Sequence, residues 1–267
     1  MPGERNLGVC GCQRIAAFPP ARNNSTGYTH NVAARSRAYL AGFVGSRRCC
    51  PRWIDAVAAI GDYLNMHTAA QRALKRRDPV MGRLIDTHGA CPLAPRRDYF
   101  VMLCKSIVSQ QLSTKAAATI FGRFRELFER RRPTPASVLA LKFDVLRGVG
   151  LSNQKTSYVI DLAEKFESGS IPRRLGSLPD EEVITALTQV KGVGVWTAQM
   201  FLMFVLVRPD VWPVDDLGIR KAAMNLYNMK ELPDADALNA LAEPWRPHRT
   251  VAAWYFWRSL DNAPLGE

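Results

Sequence analysis

Residues 187–198 read LTQVKGVGVWTA, and their two glycines interrupt two segments of apolar patterning. Val183 and Leu187 precede the interruption at helical spacing, and residues 195–207 after it are apolar except for Thr197 and Gln199. This pattern predicts two helices joined by a tight turn, a hairpin of about residues 187–200. Backbone N–H groups at the start of the second helix have no intrahelical partner, which suits them to bind a phosphate. Taken alone, however, the Gly-x-Gly sequence favours a plain helix connection without a ligand.

Helical patterning continues through the rest of the chain from Trp53 onward. Apolar side chains recur at helical spacing after Ser113 and after Ser152, and serine is a favoured residue at helix N-caps. Residues 146–151 share the pattern apolar-x-Gly-Val-Gly-apolar with residues 190–195, which suggests two helix–hairpin–helix elements. The sequence contains no strictly alternating run of apolar and polar residues flanked by hairpin turns, the pattern that would indicate a strand. We therefore predict an all-α protein with a helical domain over residues 53–267.

Residues 1–52 form a different kind of segment. They contain eight Arg, no Lys and one acidic residue, so they carry +7 of the formal charge of +12 and leave +5 for the other 215 residues. Because this segment has no sustained periodicity, we predict a disordered basic extension. A DNA-tethering arm or an over-long start explains it best, and an organellar transit peptide is the alternative. We otherwise expect a cytoplasmic protein associated with the bacterial nucleoid.

Composition excludes several classes of protein. Apolar residues make up 47% and charged residues 22%, values typical of a chain that buries a core. The longest nearly apolar run has 13 residues, whereas a helix needs about 20 to cross a bilayer, so no membrane association is expected. Four of the six cysteines lie in the first 52 residues, at spacings that match neither a disulfide scaffold nor the usual zinc motifs.

A second motif, VWPVDDLG, occupies residues 211–218. Asp215 and Asp216 stand where a proline-bearing loop enters a helix, and the helix dipole stabilises a negative charge at that position. Taken alone, either aspartate is best explained as an N-cap. The motif gains meaning from its place about 20 residues after Trp196.

Four motifs together resemble the helix–hairpin–helix (HhH-GPD) DNA glycosylase superfamily, most closely its DNA-3-methyladenine glycosylase II branch. They are Gly-Val-Gly-x-Trp-Thr-Ala at 192–198, Pro-Val-Asp-Asp-Leu-Gly at 213–218, Ser-Gln-Gln-Leu-Ser at 109–113 and Glu-Pro-Trp-Arg-Pro-His-Arg at 243–249. The resemblance covers about residues 78–262. It implies two helical subdomains flanking a cleft and a hairpin that binds the DNA backbone.

The resemblance also implies roles for single residues. The catalytic carboxylate falls on Asp216, with Asp215 as the close alternative. A loop is expected to enter the minor groove, and it consists of Gln110, Gln111, Leu112 and Ser113. Within it, Gln111 or Leu112 fills the gap left by the extruded nucleotide. The substrate pocket is expected to include Trp196, Asp215 and Trp212, with core packing as the alternative for Trp196. DNA contacts from the hairpin are expected at Lys191, Gly192, Val193, Gly194 and Thr197, although Lys191 is also explained as a solvated residue.

Two absences narrow the branch that the resemblance implies. The lyase members carry a nucleophilic Lys at the position that reads Trp196 here, so a monofunctional enzyme without strand cleavage is expected. No Cys follows Cys104, so no iron–sulfur cluster is expected at the C-terminal position used by other members. No organic cofactor is expected, and the resemblance implies a structural Na⁺ or K⁺ at the backbone carbonyls of Thr188, Val190 and Val193.

Aromatic and basic residues near the C-terminus form the last group that the resemblance covers. Trp254 and Trp257 are expected in the core, and Arg249 is expected either to pair with Asp215 or to contact a phosphate. The expected function is hydrolysis of the N-glycosidic bond of alkylated purines in duplex DNA by a monomer in base excision repair. A non-catalytic helix–hairpin–helix module that binds DNA lesions is the alternative.

Overall fold

The structure, a computed structural model, describes residues 66–261, and every regular element among them is helical. The all-α prediction is confirmed. The helices in chain order are α1 (66–77), α2 (Pro79–His88), α3 (Tyr99–Ser109), α4 (Thr114–Glu126), α5 (Pro135–Leu139), α6 (Phe143–Gly148), α7 (Asn153–Glu167), α8 (Asp180–Thr188), α9 (Val195–Phe201), α10 (Leu217–Leu226), α11 (Ala235–Ala242) and α12 (Arg249–Asp261). Helix α9 continues into a π-helical segment, Leu202–Leu206. The predicted basic extension, residues 1–52, lies outside the described residues.

Two groups of helices surround the hairpin helices α8 and α9. In the first group α7 packs against α3, α5 and α6, and in the second α12 packs against α2 and α10. Helix α9 contacts α3 in the first group, and Phe204 in the π-helical segment lies 5.5 Å, ring centre to ring centre, from Trp257 on α12. This arrangement agrees with the two helical subdomains that the resemblance implied. No helix within 66–261 combines the length and the apolar character needed to cross a membrane.

Serine and aspartate side chains set several helix starts, as their positions in the sequence suggest. Ser113 Oγ accepts the Ala116 N–H at the start of α4, and Ser152 Oγ accepts the Lys155 N–H at the start of α7. Each bond satisfies one of the donors that a helix N-terminus leaves unpaired. Both predicted caps are confirmed.

An aromatic cluster fills the core of the second helix group. The ring centres of Trp212, Trp245 and Phe256 lie 5.3 to 5.4 Å from one another. All three side chains are buried, and the Trp212 indole N–H donates to the Leu238 carbonyl oxygen at 3.1 Å. The expected place of Trp212 in the substrate pocket is therefore corrected: both its ring and its N–H are used inside the core.

Asp78 joins three parts of this group and was not singled out by its sequence. Its Oδ1 accepts the N–H groups of Val80 and Met81, which caps α2. Its Oδ2 accepts the Tyr227 hydroxyl and the Trp245 indole N–H, at 2.5 and 3.0 Å. Burial, followed by the bond to Asp78, raises the pKa of the Tyr227 hydroxyl well above its ordinary value. One carboxylate thus holds α2, the end of α10 and the turn before α12 together.

Replacing Asp78 with alanine should lower the free energy of unfolding by about 3 kcal/mol, because a helix cap is lost and two partly buried donors lose their acceptor. Urea unfolding followed by circular dichroism measures this. Asp86→Ala is the matched control, since Asp86 forms an exposed ion pair with Lys75 and such pairs contribute little. Equal midpoints for the two variants would contradict the role of Asp78.

Candidate DNA interface and active site

The turn of the hairpin between α8 and α9 depends on a glycine. Gly192 adopts φ +78°, and a Cβ built on it would lie 2.1 Å from the ring of Tyr158 on α7. Only a residue without a side chain fits there. Gly194 precedes α9 with φ −93°, and a Cβ on it would meet no atom within 4 Å. The hairpin therefore packs inward at Gly192 and is open on the outside at Gly194.

A buried carboxylate on α7 also holds the turn. Asp161 Oδ2 accepts the Lys191 N–H at 2.9 Å, while the ammonium groups of Lys165 and Lys191 lie 3.4 and 3.6 Å from Oδ1. The Lys191 side chain is mostly exposed, so its ammonium group can also face a phosphate. The two explanations given for Lys191 are therefore compatible, and its backbone is fixed in either case.

The loop between α3 and α4, here called the wedge loop, contains Gln111 and Leu112, the two residues expected to fill the gap left by an extruded nucleotide. Gln111 adopts φ +55°, in the left-handed region, and Leu112 is 38% exposed. Ser113 is committed to capping α4, as described above. Gln110 is oriented differently, because its side-chain amide donates to the Gly192 carbonyl at 2.8 Å. The loop thus exposes Gln111 and Leu112, whereas the side chain of Gln110 contacts the hairpin.

Asp216 is the better held of the two adjacent carboxylates. It precedes α10 and is 8% exposed, whereas Asp215 is exposed. Its Oδ1 accepts the Ile219 N–H at 2.8 Å and the Trp257 indole N–H at 3.0 Å, and its Oδ2 accepts the Trp196 indole N–H at 2.7 Å. A Cβ on Gly218 would lie 2.9 Å from Oδ1, so a glycine there leaves room for the carboxylate. The geometry favours Asp216 over Asp215 as a fixed functional group.

The two indoles that contact Asp216 differ in their exposure. Trp196 is 45% exposed, which rules out the alternative that it packs in the core. Trp257, which was expected in the core, is half-buried and packs against the core, and its N–H also donates to Asp216, a contact that the sequence did not suggest. A polar N–H on a half-buried indole needs an acceptor, but 41 residues separate Trp257 from the one it finds. Trp254 is half-buried, with the Arg258 guanidinium 5.9 Å from its ring centre.

Neither alternative for Arg249 is correct. Its Nε and Nη2 donate to the two carboxylate oxygens of Asp210 at 2.7 and 3.0 Å, and its side chain is largely buried. Arg246 adds a further bond to Asp210 at 2.8 Å. Arg249 therefore fixes the segment before Trp212 and is directed neither to Asp215 nor to the surface.

A cavity of about 190 Å³ lies between α3 and α9. Its apolar lining includes Met102, Met200 and Phe204, and its polar lining includes Ser106 and Thr197. Thr197 was expected to contact DNA, but its side chain is only 5% exposed and faces this cavity. A DNA contact from Thr197 is therefore restricted to its backbone N–H, at the start of α9. No group of three His, Cys, Asp or Glu side chains within 66–261 is arranged to hold a metal ion.

Comparison with known proteins places this architecture in a family. The model of the HhH-GPD superfamily base excision DNA repair protein matches residues 104–247, more than half of the chain. The chain therefore belongs to the HhH-GPD superfamily.

Two glycosylases with solved structures are similar to this chain in both sequence and structure. The chain is 37% identical over 171 residues to DNA-3-methyladenine glycosylase 1 of Schizosaccharomyces pombe. The aligned region covers 63% of this chain and 75% of the relative. The structure of the 3-methyladenine DNA glycosylase of S. pombe in complex with abasic DNA superposes with a TM-score of 0.65 at 35% identity, covering 74% of this chain and all of the other. DNA-3-methyladenine glycosidase of Bacillus halodurans has a TM-score of 0.62 at 34% identity, over 71% of this chain and 88% of the other.

Gly192→Ala should destabilise the protein by roughly 2–4 kcal/mol, because the new methyl group meets the Tyr158 ring and the residue has a left-handed backbone. Gly194→Ala, two residues away, should cost about 1 kcal/mol or less, since it adds a methyl group in open space at an N-cap. Thermal unfolding of both variants measures the difference. If Gly194→Ala proved the more destabilising of the two, the packing of the hairpin would be other than described.

Proposed function

We propose that this protein is a monofunctional DNA-3-methyladenine glycosylase, which hydrolyses the N-glycosidic bond between an alkylated purine and deoxyribose in duplex DNA. The observation that carries the proposal is the Asp216 carboxylate, fixed by three N–H donors beside the exposed indole of Trp196. Capping α10 requires only Oδ1, whereas Oδ2 is held beside the exposed indole of Trp196, which a module that only binds lesions does not need. The similarity to named 3-methyladenine glycosylases supports the same conclusion.

The two oxygens of Asp216 differ in their availability. Oδ1 accepts bonds from the backbone of α10 and from Trp257, whereas Oδ2 accepts, among residues 66–261, only the indole N–H of the exposed Trp196. Oδ2 therefore retains acceptor capacity toward the side on which Trp196 is exposed. As the glycosidic bond breaks, positive charge develops on the sugar, and a fixed carboxylate can stabilise that charge or orient and deprotonate the attacking water. We assign this role to Oδ2.

The indole of Trp196 accounts for a preference for alkylated bases. A purine nucleotide methylated at N3 or N7 carries a positive charge, and a cation near an indole face gains a favourable cation–π interaction that a neutral base lacks. Stacking on an aromatic side chain adds roughly 1–3 kcal/mol for any base. A cationic purine is also a good leaving group, so one carboxylate without a separate general acid is sufficient. The product is an abasic site.

DNA binding in this proposal comes from the hairpin and the wedge loop. The start of α9 is open at Gly194, and Lys191 adds an exposed ammonium group beside it. Contacts of this kind hold the phosphate backbone without reading sequence. Extruding a base from the stack costs a few kcal/mol, which the exposed Gln111 and Leu112 offset by filling the space it leaves.

The residue at position 196 also determines whether the enzyme cleaves the DNA strand. Trp196 has no amine with which to form a Schiff base, so the enzyme leaves the strand intact, and its chemistry needs no organic cofactor. An alkali ion at the carbonyls of Thr188, Val190 and Val193 is also part of the proposal. The Val190 carbonyl accepts the Val193 N–H at 3.0 Å, and its second lone pair remains for an ion.

Asp216→Asn should lower base release from methylated duplex DNA by a factor of about 10²–10⁴, because the neutral amide cannot stabilise a developing cation. Asparagine is a good N-cap, so folding and DNA affinity should be nearly unchanged. Released base is measured by chromatography, and strand breaks are counted before and after alkali treatment. Breaks should appear only after alkali.

Asp215→Asn is the matched control for this experiment. It removes the same charge from the neighbouring residue, whose side chain is exposed. It should retain most of the activity. Greater loss in Asp215→Asn than in Asp216→Asn would transfer the catalytic role to Asp215. Measurable DNA binding by the wild type with no released base would favour the lesion-binding module.

Gly194→Asp should weaken binding to undamaged duplexes of any sequence, because it places a negative charge where the hairpin meets phosphate. The dependence of affinity on salt should become shallower. Gly194→Ala, which adds volume without charge, is the control and should bind nearly as well as the wild type. Fluorescence anisotropy at several salt concentrations tests this, and unchanged affinity in Gly194→Asp would make the hairpin a purely structural element.

A further inference from the structure

The wedge loop and the hairpin are in direct contact, although 82 residues separate them in the chain. The Gln110 amide Nε2 donates to the Gly192 carbonyl at 2.8 Å. Gln110 immediately precedes the exposed Gln111 and Leu112, and Gly192 immediately precedes the Val193-Gly194 segment that opens α9. One hydrogen bond thus connects the element proposed to enter the base stack with the element proposed to hold the phosphate backbone.

Helix α7 supports both ends of this contact. The Lys155 ammonium group donates to the carbonyls of Val108 and Gln110, at the end of α3. One turn further along, the Tyr158 ring occupies the space beside Gly192, and Asp161 accepts the Lys191 N–H. Residues spaced three apart lie on one face of a helix, so a single rigid face fixes both backbones. The bond from Gln110 closes this arrangement on the outside.

Stability alone does not account for Gln110. The hydrogen bond lies in an exposed position, where exchange with water leaves little net gain for folding, and ordering a long glutamine side chain costs entropy. Lys155, Tyr158 and Asp161 already secure the two backbones separately. What Gln110 adds is a direct constraint on the distance between the wedge and the hairpin.

We propose that Gln110 is a positioning residue that couples DNA-backbone binding at the hairpin to base extrusion at the wedge. By holding the Gly192 carbonyl, it keeps Gln111 and Leu112 at a fixed distance from the phosphates bound by the hairpin, so that the wedge meets the correct base step. This inference rests on the proposed function. It also assigns Gln110 a role other than the direct DNA contact expected from the sequence.

The coupling matters most when the damaged base is well paired. Extruding a paired and stacked base costs more than extruding one that is already unpaired, and the wedge must offset the difference. A loosened wedge should therefore slow the reaction on a paired lesion and leave the reaction on an unpaired lesion nearly unchanged. A residue that only stabilises the fold or the complex would affect both substrates alike.

The test uses Gln110→Met, which keeps the length of the side chain, removes the donor and adds no charge. A strand that carries a single 3-methyladenine is annealed to a complement that carries either thymine or a mismatched base opposite it. Base release from the paired substrate should fall about tenfold or more relative to wild type, and release from the unpaired substrate by no more than about twofold. Gly194→Asp is the contrasting variant and should weaken both reactions to the same extent.

Extrusion is followed separately from catalysis by 2-aminopurine fluorescence, with the probe placed beside the methylated adenine and with Asp216→Asn present in every variant. Gln110→Met should reduce the fluorescence rise on the paired duplex only. Equal losses on both duplexes, or no loss on either, would overturn the role of Gln110. If the wild type released no base while Gln110→Met still reduced the fluorescence rise on the paired duplex alone, the coupling would stand and the proposed function would fail.

Discussion

The Asp216 carboxylate is the point at which three helices depend on one another. It receives the Trp196 indole from α9, the Ile219 N–H from α10 and the Trp257 indole from α12. A buried carboxylate without such partners would be strongly unfavourable, so the three donors and the carboxylate require each other's positions. Because α9 is also the second helix of the hairpin, the element proposed to bind DNA and the candidate catalytic group are fixed relative to each other by this one carboxylate.

The kind of partner matters as much as the number. Asp210 is paired with the guanidinium groups of Arg246 and Arg249, and Asp161 with the ammonium groups of Lys165 and Lys191. Those carboxylates are neutralised by cations and serve to hold backbone segments. The donors described for Asp216 are neutral N–H groups, which orient the carboxylate without cancelling its charge. A charge that is held but not neutralised remains available to a cation that forms transiently beside it.

The sequence predicted local features well and long-range contacts poorly. Helix spacing, the caps at Ser113 and Ser152 and the turn at Gly192 follow from residues within a few positions of one another. Trp212 and Trp257 show the limit, because each carries a ring that favours burial and an N–H that needs an acceptor. The acceptors are the Leu238 carbonyl and the Asp216 carboxylate, 26 and 41 residues away, and nothing in local patterning distinguishes them. Trp212 therefore lies in the core and not in the expected pocket, and Trp257, which packs against the core as expected, also contacts the site.

The two related Gly-Val-Gly segments form similar turns between helices but differ in how the second helix is capped. Both join consecutive helices, and their glycines Gly150 and Gly192 both have positive φ, +107° and +78°, with a side chain closely packed against each. They differ at the start of the second helix. In the first copy Ser152 caps α7 with its own hydroxyl, whereas Gly194 at the start of α9 has no side chain with which to do so. The first N–H groups of α9 therefore have no side-chain cap from the N-cap residue, a difference that agrees with the proposed role of the second copy in binding DNA.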